Sequence, residues 1–136
     1  MTRDDPSLVD GLVQLSFTVQ GILNRIAAGH ELSMTQFRLL GILRDREPGM
    51  LQLAGHLGLD KSSVTGLVDR AEKRGLVRRS QRPNDGRAIS VAITPAGRRL
   101  AELGEKEVNR QLAVLLSTLS ATERKALTTI ATRLVS

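Results

Sequence analysis

The chain has 136 residues and contains no cysteine, no tryptophan, no tyrosine and only two phenylalanines. The lack of cysteine excludes disulfides, thiolate metal sites, a cysteine nucleophile and thiol-based redox sensing. Aromatic residues at 1% also argue against a single-strand binder that stacks bases on aromatic rings. A core without aromatics must be built from Leu, Ile, Val and Ala, which favours helices packed on helices. No apolar run approaches the roughly 20 residues of a membrane span. The opening residues, MTRDDPSLVD, are too polar for a signal peptide, so a cytoplasmic protein with no membrane partner is expected.

Chemistry-bearing constellations are scarce as well. The histidines are His30 and His56, and neither has metal-type or triad spacing with acids. Gly49, Gly55 and Gly58 lack the Lys-Ser/Thr or strand context of a phosphate-binding loop. Glu102, Glu105 and Glu107 read as a solvated helix face. The sequence therefore predicts no enzyme, no metal and no cofactor.

What is present is basic charge in one place. The net charge is +6. Between Asp60 and Arg99 there are ten Lys/Arg and four Asp/Glu, whereas the rest of the chain holds ten of each sign. The whole excess lies in one segment, and such confinement points to a polyanionic partner.

The chain as a whole is 40% hydrophobic, enough for one domain spanning 1–136. Asp5-Pro6 reads as an N-cap with Pro in the first turn. From there Leu8, Leu12, Leu15, Val19, Ile22 and Ile26 recur at steps of three and four, with Val9, Val13 and Leu23 widening the stripe to a second face. A helix apolar on two sides needs two partners, one of them a second subunit. Ser33-Met-Thr-Gln36 has the form of a capping box opening a second helix, with Phe37, Leu40 and Leu43 on it. Glu47-Pro48-Gly49 stops that helix. Thr94-Pro95 caps a long helix carrying Leu100, Leu103, Val108, Leu112 and Leu115. Ser120-Ala-Thr-Glu123, a further capping box, opens the last, with Leu127, Ile130, Leu134 and Val135.

Between these lies "LQLAGHLGLDKSSVTGLVDRAEKRGL", Leu51 to Leu76. Leu53, Ala54 and Leu57 point one face of a short helix (about 50–57) inward. Gly58 permits a positive φ at the turn, Leu59 plugs the corner, and Asp60 is the N-cap of a longer helix (about 61–74). Val64, Leu67, Val68 and Ala71 form that helix's inward stripe. This is the layout of a helix-turn-helix. Outward remain Lys61, Ser62, Ser63, Thr65, Gly66, Asp69, Arg70 and Lys73. The short hydroxyls and the glycine near the helix start allow close approach to a major groove, where hydroxyls bond base edges or phosphates.

Val77 to Gln81 and Ala88 to Ile93 read as two strands joined by turn residues Asn84-Asp85-Gly86. Ile89, Val91 and Ile93, at period two, would pin the ribbon to the helices. The other side and the tip would carry Arg78, Arg79, Arg82 and Arg87, placed for phosphates or the minor groove. The ribbon is then a wing (77–94).

At this point the chain resembles the winged-helix regulators of the multiple-antibiotic-resistance (MarR) family. The likeness rests on the helix pair, "DRAEKRGLVRR", and "NDGRAISVAITPAG", whose Asp85, Gly86, Arg87, Ile93, Thr94 and Gly97 match the family's wing signature. It implies a mainly α fold of order α-α-α-α-β-β-α-α, with a winged helix-turn-helix over 33–98 (helix-turn-helix about 50–75) and helical dimerisation regions at 5–30 and 95–136. It also implies a homodimer on a pseudo-palindromic operator in double-stranded DNA. Most such proteins repress, and many release DNA when a small, often anionic or aromatic, effector enters a cleft between the dimer and DNA-binding regions. The resemblance further suggests that Asp69 pairs with Arg87, so that Asp69 and Asp85 support the wing. Having no cysteine excludes the family's thiol-sensing branch, and the lack of Tyr and Trp removes the obvious stacking partners for an aromatic effector. The expected function is a dimeric, sequence-specific transcription regulator, a ligand-released repressor. The competing expectation is an architectural DNA-binding protein without operator preference, although basic tails and apolar wedges are missing.

Overall fold

The computed structural model describes residues 5–81 and 89–136. The element order is α1 (Pro6–Gly29), α2 (Met34–Leu43), α3 (Met50–Leu57), α4 (Lys61–Lys73), β1 (Val77–Gln81), β2 (Ile89–Ile93), α5 (Pro95–Leu115) and α6 (Ala121–Val135). The expected order α-α-α-α-β-β-α-α is the observed one.

Most helix starts are set locally. Asp5 accepts the amide of Ser7 at 2.9 Å, and Thr94 accepts that of Gly97 at 3.1 Å. Both expected capping boxes form, at Ser33/Gln36 and Ser120/Glu123. Each satisfies two orphan amides reciprocally. Gly58 closes α3 at φ 64°, in the left-handed region that the turn demands.

The core lies in the middle of the chain. Leu39, Leu40 and Leu43 of α2, Leu53 of α3, Val64, Leu67 and Val68 of α4, and Val77 and Val91 of the ribbon form one cluster, each side chain fully buried. Thr94 fastens this unit to α5. Its amide donates to Leu76 O at 3.0 Å, and its hydroxyl donates to Gly75 O at 2.6 Å. Arg74 ties the far end of α4 to the end of α1, donating to Glu31 O at 2.7 Å and to His30 O at 3.3 Å.

Two expectations for the ribbon need correction. The strands pair antiparallel with Val77 opposite Ile93, Arg79 opposite Val91 and Gln81 opposite Ile89. Directly paired residues share a face, so Arg79 lies on the inward side with Val77 and Val91, not on the outer side with Arg78. Nor is β2 pinned only through Ile89, Val91 and Ile93. Ile89 is 44% exposed, while Ser90 and Ala92, on the other face, are buried. β2 packs against α2, α3 and α5, and residues 48–49 run along its other edge. Gly49 bridges Ser90, and Val91 N donates to Pro48 O at 2.9 Å. Ala88 and the turn residues Asn84, Asp85 and Gly86 lie outside the described residues.

The two ends of the chain contrast with this core. No residue of α6 is buried, and Leu127, Ile130, Leu134 and Val135 are exposed. On α1 only Ile22, Ile26 and Ala27 are buried, while Leu8, Leu12 and Phe17 are more than half exposed.

Candidate nucleic-acid interface

The second helix of the pair, α4, is shaped by its inward stripe. Val64, Leu67, Val68 and Ala71 are buried against the core, which forces the intervening residues outward. Lys61, Ser62, Ser63, Asp69, Arg70 and Lys73 are exposed, and Thr65 and Gly66 are half-buried. At its start Asp60 accepts Ser63 N at 2.7 Å and Ser62 Oγ at 2.9 Å. The Ser63 amide, then the Ser63 and Ser62 hydroxyls, hold the Asp60 carboxyl below its usual range. Thr65 donates its hydroxyl back to Lys61 O at 2.9 Å, so this hydroxyl is already engaged within the helix.

A depression of ≈ 370 Å³ separates the first turns of α2 and α4, lined by Ser33, Thr35, Ser62, Ser63, Gly66 and Arg70. The Arg70 guanidinium lies along the helix over Gly66, where an added β-carbon would come within 3.2 Å of its Nη1. Among the described residues Lys61, Arg70, Lys73 and Arg78 enter no ion pair. A helix of short hydroxyls flanked by uncommitted cations suits a groove between phosphate strands.

Arg79 is different. Its Nη2 meets Asp69 Oδ1 at 2.7 Å and its Nη1 meets Glu72 Oε1 at 2.7 Å, while its backbone amide donates to Glu72 Oε2 at 3.3 Å. Burial opposes the charge of this guanidinium, but the hydrogen bond to Asp69 and the charges of Asp69 and Glu72 outweigh it and raise its pKa. The described partner of Asp69 is thus Arg79; the expected partner Arg87, like Arg82 and Asp85, lies outside the described residues. Glu72 was not among the anticipated site residues. Its place one turn beyond Asp69 is a signal in the sequence, readable only once β1 is known to fold back on α4.

A larger cleft of ≈ 850 Å³ opens between α1, α2 and α5. Leu23, Phe37, Ile42 and Val108 line its apolar part, and Arg38, Arg44 and Glu105 its polar part. Arg44 ion-pairs with Glu105 across the cleft, and Arg38 donates to His56 O at 2.9 Å. The sequence pattern assigns no residue of this cleft to a ligand: it places Leu23, Phe37 and Val108 on apolar helix stripes and Glu105 on a solvated face. Among the described residues no acid/His cluster could hold a metal, and no helix is long and apolar enough to cross a membrane.

The profile of the MarR family matches residues 32–89, the segment from the start of α2 to the start of β2. An HTH-type transcriptional regulator of Bacillus subtilis, YdgJ, is 28% identical over 89% of this chain and 77% of its own length. The crystal structure of a probable transcriptional regulator from Pseudomonas aeruginosa is 33% identical, covering 89% of this chain and 96% of that one at a TM-score of 0.66. The same fold appears in NadR solved with 4-hydroxyphenylacetate (24% identity, 98% and 96% coverage, TM-score 0.80). It appears again in the S. aureus MepR–DNA complex (18% identity, 98% of each chain, TM-score 0.77). The family match over residues 32–89 and the 33%-identical regulator, together with the helix pair and its two-stranded wing, show that the chain belongs to the MarR family of DNA-binding transcription regulators.

Proposed function

We propose that the protein is a dimeric repressor that reads a pseudo-palindromic operator and releases it when a small molecule binds. The observation that carries this reading is the outward face of α4. Ser62, Ser63 and Gly66 stand where base edges would be reached, Arg70 lies beside them, and among the described residues Lys61, Arg70, Lys73 and Arg78 enter no ion pair. Arg82 and Arg87 extend the cationic set on the wing by sequence. In this division of labour the helix chooses the sequence and the wing adds affinity that depends little on sequence.

The ends of the chain support dimerisation. Leu8 is 64% exposed, Phe17 67% and Leu134 69%, more apolar surface than a monomer leaves in water without consequence. We assign 33–98 to DNA binding, and 5–30 with 95–136 to the dimer. The cleft between these parts is the natural effector site, because an occupant there would touch both. NadR's complex with 4-hydroxyphenylacetate and MepR's with DNA lend support by likeness of fold.

Selection of binding sites from random duplex DNA tests the reading. It should recover inverted half-sites about one helical turn apart, roughly 10 base pairs centre to centre. A recovered pool without a shared motif overturns it.

A further inference from the structure

Arg79 belongs to the arginine-rich wing by sequence, yet its surroundings are those of a structural strut. The register places it on the inward face of β1, opposite the fully buried Val91. Its side chain is 25% exposed, and its two terminal nitrogens each meet a carboxylate of α4 at 2.7 Å. Asp69 and Glu72 are three residues apart and therefore on one helix face. A planar guanidinium gives each carboxylate its own nitrogen in a fixed geometry, whereas a lysine offers one point charge on a flexible stem.

Charge makes the arrangement harder to read as a phosphate contact. The three side chains sum to −1, so a phosphate reaching Arg79 would approach Asp69 and Glu72 as well. Two acids on a helix that faces DNA oppose binding by Coulomb's law. Their presence calls for another role, and holding Arg79 supplies it. Arg78, one residue earlier, points the opposite way, is exposed and, among the described residues, enters no ion pair.

We infer that Arg79 is a positioning residue for DNA recognition: clamped by Asp69 and Glu72, it fixes the angle between the wing and the recognition helix and does not itself contact DNA. The inference rests on the proposed interface. It assigns to Glu72 a role equal to that of Asp69, and it separates neighbouring arginines into one that binds and one that aims.

The test compares Arg79→Ala with the double variant Asp69→Ala/Glu72→Ala, on the full chain. Two readouts are used: affinity for a selected operator duplex over a salt series, and amide exchange in the free protein. In the double variant two negative charges vanish and Arg79 is released. A DNA-contacting Arg79 would then bind more tightly with a steeper salt dependence. A positioning Arg79 gives the reverse: operator affinity falls roughly tenfold, within the range coupled neighbours show, and the salt slope stays that of the parent. Arg79→Ala should likewise weaken binding at unchanged slope. A slope shallower by about one unit per lost contact overturns the inference. In both variants exchange at residues 77–81 should quicken while the α4 core amides keep their protection. Unchanged exchange in the ribbon also overturns the clamp. Because the exchange arm needs no DNA, failure of the clamp and failure of the DNA-binding reading are told apart. Should Arg79→Ala not fold, the double variant, whose alanines favour helix, still decides.

Discussion

Gly97, in the first turn of α5, faces the carbonyl oxygen of Leu76 with no room for a side chain. A β-carbon added at residue 97 would overlap that oxygen and lie 2.9 Å from Ile93 Cγ1. Thr94 creates this closeness by drawing α5 onto the end of α4 through Gly75 O and Leu76 O. Gly104 is a milder case: its added β-carbon would meet Phe37 Cε1 at 2.5 Å, and a ring edge can move where a backbone carbonyl cannot. Gly97→Ala should therefore destabilise the fold by about 1–3 kcal/mol or more, and Gly104→Ala by less. Urea denaturation at one protein concentration checks the order, and the reverse order would contradict the packing described.

Acid should loosen the start of α4. The Asp60 carboxyl is held below its usual 3.8 by the Ser63 amide and the Ser63 and Ser62 hydroxyls. A depressed folded-state pKa stabilises the protein fully above the unfolded value, and that contribution fades as pH falls through the folded one. Glu123, lowered by the Ser120 amide and hydroxyl, acts in the same sense on α6. Stability measured from pH 6 downward should decline below about pH 4, and less steeply in Asp60→Asn. Parallel curves would show that the cap carries none of this dependence.

Ser63→Ala should change which base pair is preferred at one operator position by about 1–3 kcal/mol while leaving affinity for random DNA nearly unaltered. Thr65 is now the weaker candidate for base contact, because its hydroxyl is donated to Lys61 O. Equal loss on operator and random duplexes would remove Ser63 from the reading face.

Arg78→Ala and Arg87→Ala should weaken binding to both kinds of DNA by similar factors and make the salt dependence shallower by about one unit of slope per contact in each subunit. A selective loss on the operator alone would turn the wing from an affinity element into a sequence reader.

How far these features could be read in advance follows from the range of the interactions involved. The caps at Ser33 and Ser120, the turn at Gly58 and the inward stripe of α4 are contacts within a few residues, so the sequence pattern carries them directly. The burial of β2 on both faces depends on the packing of α2, α3 and α5 on it, and its second edge is closed by residues 48–49; Pro48 by itself reads only as a helix stop. Arg79's inward direction follows from counting by twos from Val77, but its tie to Glu72 requires the packing of β1 on α4. The cleft likewise joins residues from Gln20 to Val108, a convergence that no local pattern announces.

Sedimentation of the free protein at micromolar concentration should give a dimer, since α1 and α6 expose Leu8, Leu12, Ile130 and Leu134. A monomer would leave those faces without the partner assigned to them.

The central claim is that α4 selects a sequence. Its most direct measurement is the ratio of affinities for a selected operator and for a scrambled duplex of equal length, at one fixed salt concentration. A sequence-specific dimer should give a ratio of roughly a thousand or more. A ratio near one would contradict the account and mark the protein as an architectural DNA-binding protein.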